Sequence, residues 1–321
     1  MLKFSPRFDL VIANYNKALA FCESFNKVKN FDLKKDRLII MDCSVKTNKE
    51  LKRFSTFVQK YKLQAGLNFL FVKRRNWNMN HGAQMDYVRL IAERKLAHPK
   101  FTFFMQDHYL NTKRFVKEDA IPAGEVIDLN DIQLRLLEDT KTIWFCSRKG
   151  FRISSRFKNI NHFYNKKVWK KRGINSDPIS LVIDGGNFCV RSEHLIKNFK
   201  NNPDVYTKGN GSFFFCHVWE TRLSKIFYGK GFNFFEKHRN LTFKTIEDLL
   251  KVNPKPGKVW DYFFNDPFAY YLHGQDIYKS KLKFRYLWYI LTEFRQNLIH
   301  DHNTKLVMYN TLPSEKHGYN Y

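Results

Sequence analysis

An α/β fold built on a doubly wound, mainly parallel sheet is what this sequence predicts, and three observations predict it. Short apolar runs recur at Phe8–Ala13, Leu38–Asp42, Asn68–Val72 and Phe101–Gln106. Their starts, 8, 38, 68 and 101, are spaced by 30, 30 and 33 residues, the length of a strand–helix–strand unit. The runs are apolar throughout rather than alternating, as strands covered on both faces are.

The elements follow in order. After the first run comes the polar turn Asn14-Tyr15-Asn16. The second run ends in Asp42-Cys43-Ser44 and leads to a weakly helical segment, Lys49–Lys62, with Leu51, Phe54, Val58 and Tyr61 on one side. The third run passes into Lys73-Arg74-Arg75-Asn76. A helix follows it, because Ala83, Tyr87, Leu90 and Ile91 recur at i, i+4, i+7 and i+8. The fourth run ends in Gln106-Asp107-His108. Thr142–Cys146 reads as a strand, and Leu181–Asp184 and Asn187–Arg191 flank a Gly185-Gly186 turn. A helix is expected over about 215–228. Pro254 and Pro256 mark a loop, after which Tyr262–His300 is dense in aromatic and cationic residues. The expected division is a main α/β domain over 1–250, split into halves 1–110 and 111–250, and a helical, aromatic- and Lys/Arg-rich extension over 251–321.

Composition bounds the function. The chain has 321 residues, enough for one large domain and an appendage. With 32 Phe, 16 Tyr and 6 Trp it can bury a large core, which excludes a disordered chain. Its five cysteines, Cys22, Cys43, Cys146, Cys189 and Cys216, form no CxxC pair. That argues against a disulfide framework or a structural zinc site and for a reducing compartment. No run approaches the roughly 18–20 apolar residues of a membrane span, so a soluble, cytoplasmic protein is expected. The 56 Lys+Arg against 30 Asp+Glu give a net charge of +26. Such a charge suits nucleic acid, anionic membrane or phosphorylated ligands, and it also arises from genomic base composition. It is unevenly spread: Thr142–Arg172 carries ten cations and no acid.

In doubly wound sheets, ligands bind beyond the carboxyl ends of the strands. All four apolar runs end there in polar residues, so that edge is the expected ligand site. The sequence has no GxxxxGK[ST] loop, no GxGxxG after a strand, no HExxH and no GxSxG. These absences weaken P-loop NTPases, dinucleotide enzymes, zinc proteases and serine hydrolases.

Taken as an ordered set over residues 8–230, the motifs VIANYNKA, IIMDCS, RRNWNMNHGAQMDYVR, FFMQDHYL, LVIDGGNFCVRSEHL and HVWETRLSKI resemble those of GT-A-fold glycosyltransferases of the broad family-2 type. The resemblance implies a GT-A-like, Rossmann-like sheet and transfer of a sugar from a nucleotide-sugar to a hydroxyl of a glycan or lipid-linked acceptor.

It also implies a donor site made of Asn14, Tyr15, Asn16, Asp42, Ser44, Arg74, Arg75, Asn80, Asp86, Gln106, Asp107, Gly185, Gly186 and Asn187. Asp42 would accept hydrogen bonds from base or ribose, or else cap the next helix with Ser44 or Thr47. Asp107 stands at the family's acidic metal motif, where a cation stabilises the leaving diphosphate. The second carboxylate of that motif is replaced by His108. Asp107 and His108 therefore make a ligand pair better suited to Mn²⁺ than to Mg²⁺, or Asp107 simply ends a strand in a turn.

Arg74 and Arg75 would neutralise the diphosphate. Asn80 or His81 would otherwise cap a helix, and Asp86 would otherwise pair with Arg89. Gly185 and Gly186 permit close approach of a ligand or form a plain turn. For inverting transfer, Glu220 is the expected general base, with Asp184 and His217 in reserve; Glu220 otherwise pairs with Arg222 or Ser224. The aromatic tail reads as a helical cap, with peripheral contact to anionic membrane as the alternative. Two other classes remain open: a nucleotidyltransferase on a related sheet, and a basic nucleic-acid-binding protein without catalysis. No specific nucleic-acid partner is expected, because no binding module is recognised.

Overall fold

The structure is a computed structural model. It describes residues 5–14, 16–44, 47–74, 80–106, 126–145, 188–206, 229–237, 240–244 and 307–309, with 152–153, 181–182, 223 and 226–227 between them. In chain order the elements are β1 (Phe8–Asn14), α1 (Ala18–Ser24), β2 (Val28–Lys29), β3 (Asp36–Asp42), α2 (Thr47–Lys60), β4 (Phe69–Lys73), α3 (Asn80–Ala92) and β5 (Phe101–Gln106). Then come β6 (Ile127–Asp128), α4 (Leu129–Glu138), β7 (Thr142–Phe145), β8 (Arg152–Ile153), β9 (Leu181–Val182), β10 (Phe188–Arg191), α5 (Ser192–Asn201), β11 (Asn233–Glu236), β12 (Leu241–Phe243) and β13 (Val307–Tyr309).

The expected mixed α/β fold with a large, mostly parallel sheet is present. Nine described strands form it, in the order β12-β11-β7-β10-β5-β1-β3-β4-β13. Strands β1, β3, β4 and β5 run parallel, β11 runs parallel to β7, and β10, β12 and β13 are antiparallel to their neighbours. The four apolar runs are β1, β3, β4 and β5, each within two residues of its expected start.

Why these runs are apolar on both faces is now explicit. Successive side chains of a strand point to opposite faces. In β1, Phe8, Leu10 and Ile12 pack with Phe21 of α1, Phe54 and Phe57 of α2, and Phe69 and Phe71 of β4. Val11 and Ala13 face the other way, toward Ala83, Tyr87, Val88 and Ile91 of α3 and Leu195 of α5. Helices α1 and α2 thus cover one face, while α3 and α5 cover the other. The chain moves from β1 outward through β3 to β4, then returns to the far side of β1 as β5. That reversal between β1 and β5 is the topological switch point of the sheet.

Of the expected elements, α2 and α3 extend the two predicted helices toward their N-termini. The helix expected over about 215–228 is described as helical only at Leu223, Ile226 and Phe227. Within 251–321, the described residues are those of β13, which adds to β4 with Met308 opposite Val72; the expected helical extension otherwise lies outside the described residues. Helices α1, α4 and α5 were not anticipated. α4 is announced by Asp128, whose carboxylate accepts from the Asn130 N–H at 2.8 Å as its N-cap.

Candidate functional site at the carboxyl edge of the sheet

Strand register brings the predicted strand ends together. Asn14 lies opposite Asp42, Asp42 opposite Lys73, and Ala13 opposite Gln106. One edge therefore carries the ends of β1, β3, β4 and β5, beside the switch point. Strand β10 begins at this same edge, since Phe188 pairs with Phe104 near the end of β5 and with Phe145 at the end of β7.

The centre of this edge is a buried polar network. Asp42 is fully buried. Its Oδ1 accepts from Asn14 Nδ2 at 2.8 Å and from the Ser44 N–H at 3.3 Å. Its Oδ2 accepts from Thr47 Oγ1 at 3.2 Å and stands 3.5 Å from Lys73 Nζ. The protein thus supplies three hydrogen-bond donors and one ion-pair partner, and Thr47 Oγ1 stands equally near the Ser44 carbonyl at 3.2 Å. Lys73 also donates to the Ser44 carbonyl at 2.7 Å.

Asn14 is the hub. Besides Asp42, its amide reaches Ser44 Oγ and Glu50 Oε2, both at 3.1 Å, and its Oδ1 accepts from the Lys17 N–H at 3.4 Å. Ser44 Oγ in turn accepts from the Asn16 N–H at 2.7 Å. Asn16 has φ +58°, a left-handed conformation that asparagine tolerates better than most residues. The turn after β1 is thus tied to the end of β3 by three hydrogen bonds, from Asn14 and Asn16, and to α2 through Glu50.

A second group lies on the α3 side. Arg74 is buried and turned inward. Its Nε donates to Asp86 at 2.7 Å and its terminal nitrogen to Cys43 Sγ at 2.9 Å. Burial disfavours the charge on Arg74, but Cys43 and Asp86 outweigh that and hold the guanidinium above its ordinary value. Burial pushes the Cys43 thiol up, with Arg74 opposing. Asp86 also meets Arg89 at 3.4 Å, the pairing anticipated as its alternative role. Arg74 and Asp86 therefore clamp the middle of α3 to the ends of β3 and β4.

So the structure brings together Asn14, Asn16, Asp42 and Ser44, and separately Arg74 and Asp86. Asn80 opens α3, and Gln106 closes β5, where the described geometry is that of the backbone. Tyr15, Arg75, Asp107, His108, Asp184, Gly185, Gly186, Asn187, His217 and Glu220 lie outside the described residues. Among the described residues, no group of three or more His, Cys, Asp or Glu side chains is placed to hold a metal ion. No described helix is long and apolar enough to cross a membrane.

Sequence reasoning missed Glu50 as a site residue. Its only signal was an acid in the first turn of a helix, where the helix dipole favours negative charge anyway. It also left Lys73 inside a general basic cluster, although Lys73 Nζ stands 3.5 Å from Asp42.

No protein-family model matches the sequence, and no curated protein matches it. Solved structures resemble the chain at low overlap. The crystal structure of S. aureus TarS 1-349 has 13% identity and a TM-score of 0.33, covering 63% of this chain and 50% of that one. The same protein in complex with UDP-GlcNAc has 14% identity and a TM-score of 0.34, covering 91% and 81%. The 4-diphosphocytidyl-2C-methyl-D-erythritol synthase of Anaerococcus prevotii has 9% identity and a TM-score of 0.35, covering 78% and 95%. This chain thus spans half the length of the first of these. Overlap of this size assigns neither an activity nor a residue; those rest on the chain's own chemistry.

Proposed function

We propose that this protein is a glycosyltransferase that moves a sugar from a nucleotide-sugar to a hydroxyl of a glycan or lipid-linked acceptor. One observation carries the reading. Four strand ends with polar residues, Asn14, Asp42, Lys73 and Gln106, meet at the carboxyl edge beside the switch point, where such sheets bind nucleotides.

The diphosphate would lie against the residues that continue β5, with Asp107 and His108 as ligands of a divalent cation. Their mixed oxygen and nitrogen donors fit Mn²⁺ better than Mg²⁺. A cation there supplies Lewis-acid stabilisation of the leaving diphosphate. In the transfer itself, the acceptor oxygen bonds to the anomeric carbon as the bond from that carbon to the diphosphate oxygen breaks. Glu220 takes the acceptor proton, and Asp184 or His217 takes that role if Glu220 does not. The stereochemical outcome is then inversion.

The test is a thermal-shift panel of UDP, GDP, CDP and dTDP, each with and without Mn²⁺. A ligand of the native state raises the melting temperature by mass action. One nucleotide should shift it, and Asp107→Ala should abolish the Mn²⁺-dependent part. If no nucleotide shifts the wild type, the donor site is not at this edge.

A further inference from the structure

Glu50 is a buried carboxylate on α2 that reaches across to the turn after β1. It lies in the first turn of α2 and is 1% exposed. An acid at this position ordinarily faces water, where the helix dipole already favours it. Burying it is unfavourable unless its oxygens are satisfied. They are: Oε2 accepts from Asn14 Nδ2 at 3.1 Å and from the Ala18 N–H at 2.8 Å, and Oε1 accepts from Arg53 at 2.9 Å. Its two main-side partners bracket one short segment, the turn from Asn14 to Ala18. Helix α1 has no side-chain cap of its own, and Glu50 supplies that acceptor from a different helix.

Asp42 grips the same turn from the other side, through Asn14. The two carboxylates and Ser44 share the Asn14 amide, which has only two protons. The side chain of Asn14 is thereby held in one orientation, and Ser44 fixes the left-handed Asn16 beside it. Asp42 is fully buried among its protein partners. Asn16 is exposed at the tip of the braced turn.

We propose that Glu50 is a positioning residue of the donor site. With Asp42, it holds the turn between β1 and α1 so that the turn, rather than the Asp42 carboxylate, meets the nucleotide. This rests on the donor-site reading above. A brace acts on every nucleotide alike, whereas a base contact discriminates among them.

The experiment measures Kd by calorimetry for UDP, GDP, CDP and dTDP, in wild type, Glu50→Gln and Arg53→Ala, with the ligand-free melting temperature of each. Arg53 is half-buried and holds the other oxygen of Glu50, so its loss loosens the brace more gently. Asp128→Ala, which removes the cap of α4, is a control destabilised elsewhere. Glu50→Gln should weaken every nucleotide that wild type binds by about tenfold, the worth of one charged hydrogen bond, with the order of preference unchanged. Arg53→Ala should weaken them a few-fold in the same pattern, and Asp128→Ala should lower the melting temperature without changing Kd. If both Glu50→Gln and Arg53→Ala bind within twofold of wild type, the inference is overturned. A loss confined to one base also overturns it, because Glu50 would then be reading the base. Should Glu50→Gln fail to fold, Arg53→Ala decides on the same criteria. If wild type binds none of the four, the donor-site reading itself fails and takes this inference with it.

Discussion

Asp9 and Arg37 sit at the second positions of β1 and β3, paired in register at the edge opposite the candidate site. Arg37 grips the carboxylate with two bonds, at 2.8 and 2.6 Å, and Tyr87 donates its hydroxyl to the same group at 2.6 Å. All three are buried. Burial disfavours the charge on Arg37, yet the adjacent Asp9 carboxylate outweighs it and holds the guanidinium above its ordinary value. Breaking such a pair leaves an uncompensated buried charge, which costs about 3–5 kcal/mol. Asp9→Ala and Arg37→Met should each destabilise by that amount in urea unfolding. The double variant should cost clearly less than the sum, because it removes both charges together. Strict additivity would mean that the two side chains do not act as a pair.

Among the elements, α2 shows how an amphipathic pattern becomes both core and site. Leu51, Phe54, Phe57 and Val58 are buried on one side, while Lys49, Lys52 and Lys60 face solvent. Phe54 is the centre of an aromatic cluster, its ring centroid 5.7–6.3 Å from those of Phe21, Phe57, Phe69 and Phe71. Truncating a fully buried phenylalanine costs about 3–5 kcal/mol. Phe54→Ala should show that loss by denaturant unfolding, and Phe54→Leu a smaller one. Because Glu50 lies one turn before Phe54, loosening the cluster should also weaken the brace on the β1 turn. The register of α2 on the sheet is set by its aromatic side, and that register delivers Glu50 to Asn14. The hydrophobic spacing was readable in advance. The destination of Glu50 was not, since it depends on how α2 lies against β1 and α1.

For the molecule as a whole, the dominant feature is the net charge of +26. Like charges at this density repel one another and oppose the compact state. Raising ionic strength from about 0.01 M to about 0.15 M shortens the Debye length from roughly 30 Å to 8 Å. The melting temperature should therefore rise by a few degrees between those salt concentrations, using a non-coordinating salt. A melting temperature that falls would show that attractive ion pairs, such as Arg7–Asp36 and Arg37–Asp9, outweigh the repulsion. The cationic run from Arg148 to Arg172 starts just after β7 and ends before β10.

Sequence alone determined the parallel half of the sheet. A strand buried on both faces must be apolar at every position, and the roughly 30-residue repeat leaves room only for a crossover helix between such strands. It also determined that one edge is polar, because Asn14, Asp42, Lys73 and Gln106 each follow directly on an apolar run. Tertiary structure alone decided what those polar groups do. It turned Arg74 inward onto Asp86 and Cys43, surrounded Asp42 with Asn14, Ser44, Thr47 and Lys73, and recruited Glu50 from a neighbouring helix. It also drew Val307–Tyr309, distant in sequence, onto the edge of β4. The reason is one of range. Strand and helix periods are written over a few adjacent residues, whereas a hydrogen bond between Asn14 and Glu50 joins positions 36 apart and exists only once β1 and α2 have packed.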